Sequence, residues 1–414
     1  IRGSFGSLGN GNVAPYRYLE QMSVSKTSVI LEGTQKNYTQ LPGVIPDGLT
    51  WERSTTLDIG VDFNMFKNRL ALSFDWYDRK TQDMFTVGQP LPSVFGSAVP
   101  FGNYADLSTK GWELTVGWND RGTLFGKPFS YGINGSLWDS KSVITRFNNP
   151  KGTLSSTYYE GHEIGEIWGY QTEGFFLSDE EVAAHPSQKF LQNSNNNVWL
   201  AGDLKFADLN GDGVINAGDN TIYNSGDRKI IGNNAARYQF GFTLSGRWNG
   251  IGVSAFFQGI AKRDWYFGQE AGLFWGPYNR PYGYQPVKMM EDMWTPENAD
   301  AYFPRYRGYT ALNANRSLGA PQTRYLQDAS YLRLKTLTVD YDIPTQWLKK
   351  IAVSKASIFV TGQNLFTLSG LFKHTENFDP EVMEAPVGDL TNGSGQGYAY
   401  PMLKTTTIGL NLTF

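Results

Sequence analysis

The stretch TTLDIGVDFNMFKNRLALSFDWY, residues 55–77, alternates apolar and polar side chains in two successive runs. The apolar side chains that share one face are Leu57, Ile59, Val61 and Phe63 in the first run and Leu70, Leu72, Phe74 and Trp76 in the second. Because successive side chains of a β-strand point to opposite faces, this period of two predicts two strands. The FKN between them is short enough for a tight turn, so we expect an antiparallel pair.

The same alternation recurs along the rest of the chain. It is found in residues 111–118, 129–137, 237–248, 251–259, 355–365 and 405–414. In YLRLKTLTVDY, residues 331–341, the apolar phase changes between Leu334 and Leu337, which predicts a β-bulge there. If IRGSFGSLG at the start is also a strand, the pattern predicts about ten strands.

The connections between these strands alternate strictly between short and long. The long segments, rich in Pro, Gly and polar residues, cover about 10–54, 78–110, 139–237, 260–330 and 365–404. A transmembrane β-barrel has this arrangement, with short periplasmic turns, long extracellular loops, an apolar face toward lipid and a polar face toward the lumen. The polar face would carry Asp58, Asp62, Asp75, Glu113 and Arg247. We therefore predict an all-β fold, an antiparallel transmembrane β-barrel, in preference to a β-sandwich with core aromatics.

Aromatic residues make up 15% of the chain and recur at the ends of the expected strands. Trp76, Trp112, Trp138 and Tyr238 lie near long loops, whereas Trp118 and Trp248 lie near short turns. Rings at both ends are typical of the two aromatic girdles of a membrane barrel.

Composition and motifs exclude several other classes of protein. The net charge of −3 gives no reason to expect a nucleic-acid partner, and the absence of cysteine excludes disulfides, thiolate metal sites and a cysteine nucleophile. Apolar runs are too short for a transmembrane helix. The three histidines match no zinc motif, and we find no catalytic constellation, so we do not expect an enzyme.

Several segments together carry a resemblance to a known family. They are WERSTTLDIGVDFNMFKNRLALSFDWYDRKTQDMF (51–85), NYADLSTKGWELTVGW (103–118), IGEIWGYQTEGFF (164–176), GDLKFADLNGDGVINAGDNTIYNSGDRKIIGN (202–233), and TGQNLFTLSG, DPEV and YPMLKTTTIGLNLTF near the end. In this order they resemble the C-terminal part of the barrel of SusC-like (RagA-like) TonB-dependent outer-membrane transporters of Bacteroidetes. The resemblance covers nearly the whole chain.

The resemblance implies a fold, a location and partners. Full-length members have barrels of about 22 strands with an N-terminal plug, contact TonB, and pair with a SusD-like lipoprotein that covers the extracellular side. They import oligosaccharides, or in some branches peptides. We therefore expect residues 1–414 to be the C-terminal part of such an integral outer-membrane barrel, in contact with lipid or lipopolysaccharide and without the plug. The expected extracellular loops are 139–237, with a calcium site, 260–330, which is rich in aromatics, and 365–404.

The segment DLNGDGVINAGD, residues 208–219, matches a calcium-binding loop of the EF-hand type. Its ligand positions are filled by Asp208, Asn210, Asp212, the Val214 carbonyl, Asn216 and Asp219, with Gly213 at the sharp turn. Because position 12 is Asp rather than Glu, and no pair of amphipathic helices flanks the loop, we expect a structural Ca²⁺ site and not a sensor. A turn without metal is the alternative interpretation.

The segment 264–286 is dense in aromatic residues. Trp275, Tyr278 and Tyr282 are candidate contacts to substrate or to the lid if their rings are exposed; a loop core that packs on itself explains them equally well. The second function that the sequence allows is a calcium-dependent, soluble or surface-attached glycan-binding β protein.

Overall fold

The computed structural model describes residues 1–11, 19–40, 42–46, 48–88, 91–96, 98–154, 158–279, 291–348, 353–375, 378–383 and 400–414. In chain order the strands are β1 (Arg2–Asn10), β2 (Val24–Leu31), β3 (Thr34–Thr39), β4 (Glu52–Met65), β5 (Leu70–Val87), β6 (Phe101–Leu124), β7 (Lys127–Phe147), β8 (Glu166–Tyr170), β9 (Thr172–Phe175), β10 (Leu204–Phe206), β11 (Arg228–Asn233), β12 (Arg237–Trp248), β13 (Ile251–Lys262), β14 (Asp264–Tyr266), β15 (Leu326–Asp328), β16 (Tyr331–Asp342), β17 (Lys355–Ser369) and β18 (Thr405–Thr413).

Helices in the described residues are short. They are α1 (Asp179–Ala184), α2 (Gly272–Trp275) and α3 (Thr345–Leu348), with 3₁₀ turns at Ser93–Phe95, Lys189–Leu191, Gly276–Tyr278, Tyr309–Leu312 and Gly370–Lys373. Within the described ranges, none is long and apolar enough to cross a membrane.

Ten strands form one antiparallel sheet. Its order is β1, β4, β5, β6, β7, β12, β13, β16, β17, β18, so each strand pairs with the next long strand along the chain. This confirms the strand count and the prediction that the first residues form a strand, since β1 pairs with β4 along its whole length. Smaller two-stranded sheets, β2–β3, β8–β11, β9–β10 and β14–β15, lie within the long connections.

Short and long connections lie at opposite ends of the sheet, because consecutive neighbours run antiparallel. Two of the short ones are two-residue turns, Phe125–Gly126 and Asn249–Gly250, with positive φ at every position. This is the geometry of type I′ turns, which match the twist of the strands they join. The prediction of a loop at 78–110 was too long: β5 runs to Val87 and β6 begins at Phe101, so strand pairing extends well past the apolar stretch.

The predicted bulge is present on β16. Lys335 is skipped in the pairing with both neighbouring strands, where the register jumps from Leu334 to Thr336. The jump lets Leu334 and Leu337 lie on the same apolar face, which explains the change of phase in the sequence.

The sheet has one apolar face that remains exposed. Ile59, Phe63, Ile133, Val253 and Val360 are 47%, 51%, 52%, 43% and 43% exposed. Apolar surface in water costs roughly 25 cal/mol per Å², so a contiguous band of this kind indicates a surface that contacts an apolar partner. The largest buried core lies elsewhere, in the long connections at one end of the sheet.

Candidate functional site

The face opposite the apolar band is a polar wall. Arg2 on β1 donates to Asp62 at 3.0 Å and to Asp75 at 2.6 Å, joining three strands through one guanidinium. Gly60 lies beneath this group, and a Cβ there would collide with the Asp75 carboxylate and the Arg2 guanidinium. The charged side chains therefore lie close against the sheet, over the glycine.

A second charged group repeats the pattern on β12 and β16. Arg247 donates to Asp342 at 2.6 Å and pairs with Asp340. The Arg247 guanidinium and the Asp340 carboxylate both lie over Gly252. A groove of about 680 Å³ runs past this group. The polar residues predicted for the inner face, Asp58, Asp62, Asp75, Glu113 and Arg247, all share the wall, since their cross-strand partners lie on it.

At the long-loop end, the last loop is held against the wall by what we call the rim clamp, formed by Arg333, Lys335, Asp379 and Glu381. Arg333, 3% exposed, contacts Asp379 at 2.6 Å and Glu381 at 2.5 Å. Lys335, turned inward by the bulge, reaches Glu381 at 2.8 Å. Burial opposes ionisation of Asp379, but hydrogen bonds from Arg333 and from two backbone N–H groups outweigh it and lower the pKa of this carboxyl.

The long loops pack around an aromatic core. Trp275 and Tyr278 are both 0% exposed. The expectation that these two rings are exposed contacts to substrate or lid is therefore wrong, and the alternative of a loop that packs on itself is confirmed for them. Burial raises the pKa of the Tyr278 hydroxyl, which donates to the Pro304 carbonyl. Tyr282 lies outside the described residues.

A buried ion pair ties two long loops together. Asp203, 2% exposed, pairs with Arg307 across 104 residues of chain. Its carboxylate also accepts from the Asn193 side chain at 2.9 Å and from the Leu200 backbone at 2.8 Å. These contacts, with that of Arg305 to the Ala201 carbonyl at 2.9 Å, join the segments around 193–203 and 301–307 to each other.

The calcium-type loop forms a compact set of turns. Asp208 accepts from the backbone N–H groups of Gly211 at 2.7 Å and Gly213 at 2.9 Å, and both glycines have positive φ. The Gly213 N–H is the chief reason that the pKa of Asp208 lies below its usual range. Asn210 contacts Asp212, and Asn216 contacts the Val214 carbonyl.

The residue that closes this loop was missed by the sequence reasoning. Asp227, 0% exposed, accepts from the backbone of Leu209 at 2.8 Å and of Asn216 at 2.8 Å, whereas Asp219 accepts from the Asn224 side chain. Within the described ranges, no three acidic or histidine side chains converge as a metal site. The oxygens of Asp208, Asn210 and Asp212 lie in one preformed turn and fit a structural cation. Asp219 does not join them, because its carboxylate accepts from the Asn224 side chain.

Comparison with known proteins gives matches over all or most of the chain. TonB-dependent receptor P3 of Formosa agariphila is 28% identical over 428 residues, covering 100% of this chain and 39% of the relative. TonB-dependent receptor SusC of Bacteroides thetaiotaomicron is 21% identical over 384 residues, covering 91% of this chain and 33% of SusC. The chain is homologous to the TonB-dependent receptors. The chain spans about 40% of the length of P3 and of TonB-dependent receptor P26 from the same organism. It corresponds to a C-terminal part of these relatives. No family model matches it.

Solved structures agree with this homology at the level of the fold. The structure of the RagAB peptide transporter matches with a TM-score of 0.70 at 20% identity, covering 100% of this chain and 40% of that one. The RagAB peptide importer in its open-open state matches with a TM-score of 0.69 at 18% identity, with the same coverage. The ten strands thus have the fold of part of a β-barrel, in which an apolar face lies outside and a polar wall lies inside.

Most of the predicted girdle aromatics lie on the outer face of that barrel. Trp76 and Trp112 are direct cross-strand partners on the apolar side. Trp138 is an exception: it is paired with Glu113 and Gln239, so it lies on the inner wall. The prediction of a membrane-interface role for Trp138 was wrong because the period of two, counted from Leu137, puts it on the polar face.

Proposed function

We propose that the protein to which this chain belongs is an active importer of the outer membrane, and that the chain supplies barrel wall and extracellular loops. The observation that carries the proposal is the pairing of an exposed apolar face with an ion-paired polar face on one ten-stranded sheet. An apolar exterior is stable in lipid, and a polar interior suits a hydrated path for solutes. Homology to the TonB-dependent receptors supports energy input through TonB, by way of a region outside this chain.

We further propose that the cargo is an oligosaccharide or a peptide and that a SusD-like lipoprotein covers the loops. The similar solved structure is that of a peptide transporter, and SusC is among the relatives. The loops have their own buried core, and they expose apolar side chains such as Leu177 and Tyr223, which a partner surface can cover. Transport, rather than catalysis, is the activity we assign.

Membrane insertion and import are tested on the full-length protein. The folded protein should fractionate with outer membranes, require detergent for extraction, and migrate faster on gels before boiling than after. Cells that carry it should take up labelled oligopeptides or oligosaccharides only when TonB is present, and the lipoprotein should co-purify. A folded, monodisperse protein in plain buffer would contradict the proposal.

The soluble alternative, a calcium-dependent glycan-binding β protein, fits the structure less well. Such a protein would leave side chains such as Phe63 and Ile133 in water over a continuous band, with nothing to cover them. The detergent requirement in the preceding experiment also separates the two functions.

We propose in addition that the 208–219 loop binds Ca²⁺ as a structural ion. The support is the oxygen-rich ligand pattern and the preformed turns at Gly211 and Gly213. Calcium should slow hydrogen exchange in residues 208–227, and Asp208→Asn with Asp212→Asn should abolish that effect. Asp300→Asn, an exposed loop aspartate outside the site, is the matched control. Equal exchange with calcium and with chelator would contradict the proposal.

A further inference from the structure

Four basic residues stand on the outer face of β4–β7. They are Arg53, Lys80, Lys110 and Lys141, one on each strand, and all are exposed. Each lies an even number of residues along its own strand from an apolar residue that faces outward. The pairing between neighbouring strands has no register shift between those two residues, so both side chains point to the same face. They therefore share the face of the apolar band. We call them the basic row.

The basic row begins where the apolar band ends. Trp76 is paired with Trp112, and two residues further along the strands Asp78 is paired with Lys110, which is itself paired with Lys141. A further two residues along, Lys80 is paired with Ser108. Each step is roughly 7 Å along a strand, so the order from the middle of the sheet toward the long loops is apolar residues, tryptophans, then cations.

The charge of this surface is only partly neutralised. Lys80 and Lys110 have no hydrogen-bond or ion-pair partner within the described part of the chain, whereas Lys141 contacts Glu163 at 2.6 Å. Asp78 lies between the two lysines, and the neighbouring Asp106 is already paired with Arg146 at 2.7 Å. A shallow cavity of about 300 Å³ lies among Asp78, Lys80, Ser108 and Lys110. The surface thus offers two free ammonium groups.

We propose that the basic row binds the phosphate groups of lipopolysaccharide in the outer leaflet. The occupant follows from continuity: acyl chains that cover the apolar band place their headgroups beyond Trp76 and Trp112, at the height of the lysines. Ammonium groups bind phosphate as point charges without demanding one geometry. The inference rests on the proposed function for the outer-membrane location and for the long loops facing outward.

The test measures lipid binding to the full-length protein in detergent. Purified bisphosphorylated lipid A is titrated by native mass spectrometry against wild type, the double variant Lys80→Gln with Lys110→Gln, and the control double variant Lys67→Gln with Lys127→Gln. The control removes the same charge from exposed lysines at the short-turn end. Lipid A should bind the test variant roughly thirtyfold more weakly, about fivefold for each lysine, and the control within twofold of wild type. Dephosphorylated lipid A should not distinguish the three proteins.

Three outcomes would overturn the inference. They are equal lipid A binding by wild type and test variant, an equal loss in the control, and inorganic phosphate competing as strongly as lipid A, which would assign the surface to free phosphate. Membrane fractionation and heat-modifiable mobility of the same variants keep this test separate from the proposed function. If wild type is not found in the outer membrane, that function fails; if it is found there and the lysines do not matter, only the lipid site fails.

Discussion

Breaking the rim clamp should release the last loop while leaving the barrel folded. Replacing Arg333 with Met preserves much of the side-chain length but leaves Asp379 and Glu381 without their guanidinium. The side chains of Arg333 and Asp379 are only 4% and 6% exposed. Removing one partner of a buried ion pair costs about 3–5 kcal/mol, because the remaining charge stays desolvated and unpaired.

The cost should appear locally, as opening of the loop segment that carries the two carboxylates. At about 1.4 kcal/mol for each factor of ten, 3–5 kcal/mol raises the open fraction by roughly a hundredfold to several thousandfold. These 414 residues contain no cysteine, so Met383→Cys, at a position that is 1% exposed, places one reporter thiol in this part of the protein. Maleimide labelling of that thiol should accelerate by at least about a hundredfold in the Arg333→Met background.

Controls separate the clamp from a general loss of structure. Met383→Cys alone sets the baseline, and heat-modifiable mobility should be the same in both proteins. Lys335→Met, which leaves Arg333 in place to hold both carboxylates, should accelerate labelling much less. A charge swap of Lys335→Glu with Glu381→Lys should label more slowly than either single variant. Labelling rates within threefold of baseline for Arg333→Met would refute the assignment of the clamp.

Three other outcomes are expected. Folding lowers the pKa of Asp379. Its stabilising contribution is therefore full above the ordinary pKa near 3.8 and is lost as pH falls through the lower folded pKa. The hydrogen-exchange protection factors of residues 378–383, which correct for the intrinsic pH dependence of exchange, should stay constant down to about pH 4 and fall below it. Asp203→Ala leaves Arg307, whose side chain is 13% exposed, without its carboxylate. It should lower the local stability of residues 193–203 and 301–307 by about 3 kcal/mol, seen as faster hydrogen exchange, whereas Asp300→Ala, at an exposed position, should change neither segment. Gly252→Val should lower the temperature at which the heat-modifiable form is lost, because the valine side chain would collide with Arg247 and Asp340. Gly122→Val should leave that temperature unchanged, because nothing lies within 4 Å of a Cβ at this position.

Local pattern was sufficient for the strands but not for their ends. The alternation at 55–77 predicted β4 and β5 because burying or exposing every second residue is a local property of an extended chain. The extension of β5 to Val87 and of β6 back to Phe101 was not predicted, because polar residues beyond the membrane carry no alternation. Even the bulge at Lys335 was predicted, since an extra residue shifts the apolar phase by one.

Long-range packing decided the candidate site. Nothing local distinguishes Trp275, which is buried in the loop core, from an exposed ring that binds a ligand, because the residues that cover it come from distant segments. For the same reason Asp227 could not be recognised as the residue that closes the 208–219 loop, and Arg333 could not be matched with Asp379, 46 residues away.

The sequence alone therefore determined where the ten long strands lie along the chain, although not where they end, which of their faces is apolar, and that short and long connections alternate. Each of these properties is set by near neighbours along the chain. Only the tertiary structure decided which charges are paired, which aromatics are buried, and which lysines stand unpaired above the tryptophans. Those properties depend on the cross-strand register and on loops that fold together, and both are set by contacts between residues far apart in sequence.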